Sequence, residues 1–354
     1  MKFKVHDAGT PDGLADWIRA WTAWPGREVL AHPEFARLFA RPCDRVVCAA
    51  GEDEGGSILF PLILRPLSTE PWARVGEARW DATTPYGYGG PYAWGAGPRD
   101  DAAFWRAHAE WCRERKIVST FARLSLFPDQ LAAIPGPVES LLPNIVVPLG
   151  VGPDALWAGY ESKVRKWVKS AEAAGITVEA DPTGARLEDF LAVYTETMTR
   201  RGASDWYFFP REFFKSIVDK LPGQFVFFYA LQDGKVLSAD LMLCSQDYVY
   251  YFLGGTFEAA LPQSPNYLLK HRIATWAAAE GKKGYVLGGG YELGDGLFRY
   301  KRAFARTGEV PFKAARLIHD EPGCLDLVSD RAAHEAREGK AWTPRPHYFP
   351  PYRA

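Results

Sequence analysis

The sequence predicts a mixed α/β protein, with mixed sheets in two domains built on one plan. Three observations carry this. At 354 residues the chain exceeds one ordinary core. Its second half orders the predicted elements as strand, helix, strand, two helices, three strands, helix and strand. The same order recurs more loosely in the first half, so two copies of one unit fit better than two unrelated domains. A hydrophobic content of 47% with 24% charged residues marks a globular chain rather than a disordered one.

In the first half, Leu14 to Trp24 is amphipathic, with Trp17, Ile18 and Trp21 on one side. A second helix is predicted over His32–Phe39, with Pro33 in its first turn. Arg45–Ala50 and Ser57–Arg65 form a hairpin about Gly51–Gly56. The run from Thr83 to Pro91 is a loop. Asp100–Lys116 is a helix, capped by Asp100 or Asp101 and burying Phe104, Trp105, His108 and Trp111. Val118–Leu126 follows as a strand. The proline-rich stretch Pro128–Pro143 closes a first domain, 1–143.

In the second domain, 144–318, Asn144–Leu149 is a strand and Gly152–Ala174 one long helix. That helix carries Leu156, Tyr160, Val164, Trp167, Val168 and Ala171 on one side and Lys163, Arg165, Lys166 and Lys169 on the other. The cationic side suits either a solvated face or a phosphate-tracking ridge. Strand Ile176–Ala180 leads to helices Arg186–Thr199 and Pro210–Leu221, joined through Arg200 and Trp206. Strands Phe225–Leu231, Val236–Cys244 and Tyr248–Gly254 follow, the first two joined by an Asp233-Gly234 turn. Helix Ser264–Glu280 has Ser264 as its cap and Pro265 in its first turn. Then comes Tyr285–Phe304: a short strand, the turn Gly288-Gly289-Gly290, a bend at Asp295-Gly296, and the cationic–aromatic run Phe298–Phe304. Residues 319–354 form an extension expected to pack back on the first domain.

With 42 Lys and Arg against 43 Asp and Glu, any polyanion contact must come from a local patch. Five scattered cysteines read as reduced thiols in a cytosolic protein. No apolar run is long enough for a membrane span. His108 reads as a core histidine without a visible partner. With no His-x-x-x-His pair or His/Cys cluster recognised, no metal is expected.

Three segments resemble the FemABX family of non-ribosomal peptidyl transferases. They are Ser162–Gly175, similar to that family's K-x-R-x-x-I-R-K-A-E-x-x-G helix; Ser264-Pro265-Asn266-Tyr267-Leu268-Leu269; and the Gly288–Gly290 turn with Gly296–Phe304. The tail Tyr348–Arg353 is similar to tails of bacterial members. The element order is also that of the GNAT acyltransferase fold. The resemblance implies two tandem GNAT-like domains and a cytosolic aminoacyltransferase. Its reaction would move an amino acid from aminoacyl-tRNA to an amine of a peptidoglycan precursor or other small acceptor. It further implies that the donor's 3′ end lies near Tyr300 and Lys301. The long coiled-coil insertion of some members is missing from the second domain.

Aminolysis of an ester needs a neutral amine, a stabilised oxyanion and a proton for the leaving group. With no Ser-His-Asp or Cys-His arrangement recognised, direct attack in a positioned ternary complex is the economical route. Lys301, with Tyr300, is the catalytic candidate. Donor contacts are assigned to Lys163, Arg165, Lys166, Lys169, Asn266, Tyr267, Gly288, Gly289, Gly290, Arg299, Arg302 and Phe304. Acceptor contacts are assigned to Tyr86, Tyr88, Tyr92, Arg200 and Trp206. No bound cofactor is expected; acyl-CoA in place of aminoacyl-tRNA is the alternative donor. The connection Glu258–Pro265 disfavours acyl-CoA, having no glycine and two prolines where a pyrophosphate would need backbone N–H groups.

Overall fold

The computed structural model describes all 354 residues and divides into two compact units. The first comprises Met1–Pro25, Leu30–Leu141 and Phe312–Ala354; the second, Gly26–Val29 and Leu142–Pro311. In chain order the first unit runs β1 (Lys2–Asp7), α1 (Pro11–Ala23), α2 (Pro33–Arg37), β2 (Arg45–Asp53), β3 (Gly56–Pro66) and β4 (Trp80–Thr83). It continues with β5 (Tyr92–Trp94), α3 (Asp101–Glu114), β6 (Ile117–Arg123) and β7 (Val138–Ser140). The second unit holds β8 (Asn144–Pro148), α4 (Pro153–Gly159), α5 (Ser162–Ala173), β9 (Thr177–Asp181), α6 (Leu187–Arg201) and α7 (Arg211–Lys220). Next come β10 (Phe225–Gln232), β11 (Lys235–Cys244), β12 (Tyr248–Thr256), α8 (Pro265–Ala279), β13 (Gly284–Gly288), α9 (Gly296–Arg302) and β14 (Glu309–Val310). The chain then returns to the first unit with β15 (Lys313–Ile318) and α10 (Glu321–Arg337).

Both sheets follow the shared plan. In the second, β9, β10, β11 and β12 are antiparallel neighbours; β13 joins β12 in parallel across the α8 crossover, and β8 pairs antiparallel with β13. In the first, β1 to β4 are antiparallel, β6 joins β4 in parallel with α3 in the connection, and β15 pairs antiparallel with β6. A parallel neighbour requires such a crossover. The two sheets differ in where the strand beside the parallel pair originates. It comes from the start of the second unit as β8, and from beyond its end as β15.

That origin corrects the domain limits. Lys313–Ile318 does not close the second domain but pairs with β6 and β7. Residues 319–354 also lie in the first unit, where the Tyr352 hydroxyl is 2.7 Å from Ser119 Oγ and Arg353 pairs with Asp81 and Glu70. The predicted helix Gly152–Ala174 is two helices. Tyr160 and Glu161 are extended between α4 and α5, where Glu161 N–H donates to Ala303 C=O at 2.8 Å. The basic–aromatic run after the triple glycine is helix α9. Its signal was Asp295, whose carboxylate accepts the Phe298 N–H at 2.6 Å as a true N-cap. Strands β1, β4, β7, β14 and β15 were not recognised.

The second unit's core is built from the apolar faces of α5 and α8 laid on the sheet. Val164, Val168 and Ala171 of α5 meet Leu268, Leu269 and Ile273 of α8 over Val147, Phe228, Met242 and Tyr285. The helical spacing thus delivered the predicted side chains, with Trp167 only half-buried.

Candidate functional site

The site of the second unit forms where β12 and β13 part. Their parallel ladder covers only Tyr248–Tyr250 against Gly284–Val286. Beyond it β12 shifts register against β11 between Leu241 and Met242, and β13 ends at Gly288, with φ +79°. A side chain there would be strained, which accounts for glycine at the turn. Gly290 has a different reason: a Cβ would lie 2.4 Å from Asp295 Oδ1. That carboxylate ties the following loop by accepting N–H groups from Tyr291 at 2.7 Å, Glu292 at 3.2 Å and Phe298. These hydrogen bonds, Phe298's first, hold it below the usual carboxylate range.

The loop and α9 aim Lys301 inward. It is 7% exposed, and its Nζ donates to the Gly289 carbonyl at 2.6 Å. Burial, helped by the charge of Lys270 and opposed by Asp295, lowers its pKa to about 7. Its amine therefore changes charge near neutrality, a property that its neighbours in sequence could not reveal. Beside it, the Tyr300 hydroxyl accepts from Asn266 Nδ2 at 2.8 Å. The Tyr300 ring lies 5.1 Å from that of Tyr267 and 5.4 Å from that of Phe304. Asn266, Tyr267, Gly288, Gly289, Gly290, Tyr300 and Lys301 are thus brought together. Phe304 does not offer a face to a ligand: it is 2% exposed and packs on Tyr160. Arg299 is exposed and donates to Gly294 C=O at 2.7 Å; Arg302 is exposed.

A buried charge pair stands behind Lys301 and was missed from the sequence. Lys270 of α8 donates to the Asp240 carboxylate of β11. Its Nζ sits 3.7 Å from the Tyr251 ring centroid, and Lys301 Nζ lies 5.8 Å from the same centroid. Burial raises the Asp240 carboxyl and lowers the Lys270 amine, and each charge offsets the other's shift. Gly254 clears the space, since a Cβ there would lie 2.2 Å from Asp240 Oδ1. The available signal was a lysine within the apolar face of α8 and an aspartate inside an apolar strand.

The cations of α5 divide. Lys163, Lys166 and Lys169 are exposed, with Lys163 3.2 Å from Glu161 and Lys166 5.8 Å from the Trp167 ring. Arg165 instead folds back to donate to the Tyr160 carbonyl at the end of α4. Its part is structural, capping a helix end. Trp167 stacks on Tyr267 at 6.4 Å, so α5 adjoins the aromatic wall of the site.

The five acceptor candidates are divided between the two units. Tyr86, Tyr88 and Tyr92 belong to the first unit. Tyr92 is 1% exposed, 5.1 Å from Trp24, and its hydroxyl donates to Tyr88 C=O at 3.3 Å, so it is a core residue. Tyr88 meets Phe312 edge-on at 5.2 Å, and Tyr86 lies 5.4 Å from Phe39. Arg200 and Trp206 lie in the second unit. Arg200 donates to Thr256 C=O at 3.0 Å. Trp206 is half exposed in the turn whose Tyr207 meets Tyr291, 6.5 Å away, beside the glycine loop.

A family model described as an acetyltransferase (GNAT) domain matches residues 160–302, the stretch holding α5, the parted strands and Lys301. Over nearly the whole chain the structure matches that of FemX, with a TM-score of 0.66 at 14% identity, covering 88% of this chain and 97% of that one. The chain thus has a FemX-like fold, with a stretch similar to a GNAT domain in its second unit. L-PGS from Bacillus licheniformis is also similar, with a TM-score of 0.53 at 13% identity over 90% of this chain and 96% of that one. So is a conserved protein of unknown function from Bacteroides thetaiotaomicron, with a TM-score of 0.52 at 10% identity over 85% and 96%. No curated protein matches the sequence. The FemX-like fold, with its two units built on one plan, accords with the architecture expected from the sequence, and the acetyltransferase resemblance covers the part of the second unit from 160 to 302. No helix is long and apolar enough to cross a membrane.

Proposed function

We propose that this FemX-like chain is an aminoacyltransferase that moves an amino acid from aminoacyl-tRNA to the amine of a small acceptor, a peptidoglycan precursor being one such molecule. The observation that carries the reading is Lys301: a buried amine with a pKa of about 7, held on Gly289 C=O where β12 and β13 separate. In the reaction the acceptor nitrogen attacks the ester carbonyl, the C–N bond forms and the C–O bond to the ribose breaks. Protonated Lys301 stabilises the oxyanion and supplies the proton that the leaving ribose oxygen needs. The proton released by the acceptor nitrogen restores Lys301. A group titrating near neutrality can both give and recover that proton.

The exposed Lys163, Lys166 and Lys169 offer phosphate contacts, and the Trp167–Tyr267 wall offers stacking surface, both suited to an acceptor arm. The entrance to α8 argues against a pyrophosphate. Pro262 and Pro265 carry no N–H, and the Tyr267 N–H is engaged by Ser264 C=O at 3.2 Å. The second reading, an acyl-CoA-dependent N-acyltransferase acting on a small amine, is favoured by the acetyltransferase description of the matched family. Hydrogen exchange of the full chain with charged tRNA and, separately, with acyl-CoAs distinguishes them. Protection of 162–173 and 265–270 by charged tRNA, weakening steeply with salt, supports the first. Protection by acyl-CoA alone overturns it.

A further inference from the structure

The first unit contains a second chemical cluster, away from Lys301 in the chain and independent of the reaction proposed above. His108 and Cys112 stand one turn apart on α3, and His319 follows β15. Their ligand-capable atoms all lie within 4.8 Å of one another. The sequence reading of His108 as a lone histidine, with no His/Cys cluster in the chain, is therefore corrected. The i, i+4 spacing puts His108 and Cys112 on one helix face, but the third member lies more than two hundred residues away and only pairing of β15 with β6 delivers it.

We propose that His108, Cys112 and His319 form a three-coordinate site for a soft monovalent metal ion, Cu(I). Geometry is the first argument. One ligand-capable atom from each of the three residues lies within 4.8 Å of the other two, so small side-chain shifts bring all three to one ion. Cys112 Sγ lies 3.7 Å from His108 Nδ1 and 3.8 Å from Nε2, facing the ring between its nitrogens, so binding turns the His108 ring to aim one of them at the ion. The second argument is orientation. His319 Nε2 is 2.8 Å from Thr120 Oγ1, a contact that fixes the ring and leaves Nδ1 as the ligand atom, as outer partners do at metal sites.

Charge is the third argument. His108 is 1% exposed and Cys112 fully buried, among the rings of Phe60, Phe104, Trp105 and Trp111. One thiolate and two neutral imidazoles neutralise a monovalent ion, whereas a divalent ion would leave a net charge in an apolar surrounding. Thiolate with imidazole is also a soft donor set. Binding forms the metal–sulfur bond and releases the Cys112 thiol proton to solvent, with no change of oxidation state. Half-buried His319 supplies the side by which the ion enters.

The test uses the full chain with exposed Cys43 replaced by serine, removing the accessible competing thiol. Reduced protein is titrated with Cu(I) buffered by bathocuproine disulfonate, reading metal retained per chain, the melting temperature and the copper X-ray absorption edge. The expected result is one equivalent retained, a higher melting temperature, and a first shell of one sulfur and two nitrogens. Cys112→Ala and His319→Gln should each lose the ion while keeping the far-ultraviolet circular dichroism of the parent. Absence of retained copper, or equal retention by both variants, overturns the site. Retention of Zn(II) with four ligands in preference to Cu(I) overturns the monovalent assignment.

Discussion

Replacing Lys301 by methionine separates chemistry from stability because the wild-type amine titrates within the working range. Its folded pKa of about 7 stands against an ordinary 10.5, a gap that corresponds to roughly 5 kcal/mol of disfavoured charge. The unfolded chain holds this proton up to about pH 10, whereas the folded chain releases it as pH rises through about 7. The unfolded state thus binds more protons between those limits, so the wild type gains stability as pH rises from about 7 to about 10, loses it over the same window as pH falls, and changes little below about 7. Integrated from pH 7 to 9, with Lys301 half-titrated at the start, the gain is about 2 kcal/mol. Lys301→Met has no such group. Its loss of the bond to Gly289 C=O is a constant offset of about 1 kcal/mol for the neutral amine. Urea unfolding of both proteins at pH 6, 7, 8 and 9 should therefore show the wild type gaining about 2 kcal/mol on the variant between pH 7 and 9. Turnover of the variant should fall by at least two orders of magnitude at every pH. Parallel stability curves would show that Lys301 keeps an ordinary pKa and refute the proton-carrier reasoning; unchanged turnover would remove its catalytic role.

Other outcomes follow from the same geometry. Asp240→Asn leaves Lys270 buried without its counter-charge and should cost about 3–5 kcal/mol in denaturant unfolding, whereas the double change Asp240→Leu with Lys270→Met should come within about 1 kcal/mol of the wild type. Lys270→Met, by removing the charge that lowers Lys301, should move the alkaline limb of the pH–rate profile upward; an unmoved limb would show that burial alone sets it. Gly290→Ala drives a methyl into the Asp295 carboxylate and should lower stability by about 1–2 kcal/mol, with raised protease sensitivity across 291–298. Changing Lys163, Lys166 and Lys169 together to glutamate should leave the melting temperature within a few degrees. It should also weaken binding of charged tRNA and flatten its salt dependence, read by filter binding at several ionic strengths.

Much of the second unit was legible because its elements announce themselves locally. The spacing of Val164, Val168 and Ala171 specifies a helix face, Asp233-Gly234 a hairpin, and Pro265 a helix start. The triple glycine followed by Lys301 marked the site for the same reason: glycines record where backbone must turn or another group must come close. What failed were short strands and long-range breaks. Strands of three or four residues such as β4 and β7 carry too little periodicity to register. The break at Tyr160–Glu161 depends on Ala303 C=O, a partner almost 150 residues away.

The amino-acid order alone determined the repeated α/β plan, the helices with their apolar stripes, and the prominence of the Gly288–Phe304 stretch. Each is a property of residues within a few positions of one another, where propensity and periodicity act. The tertiary structure decided what those residues are for. It buried Lys301 and set its proton affinity, placed Lys270 and Asp240 behind it, turned Arg165, Tyr92 and Phe304 into structural parts, and brought His319 to His108 and Cys112. Desolvation and charge proximity depend on distances in space, and the chain has no local means of recording them.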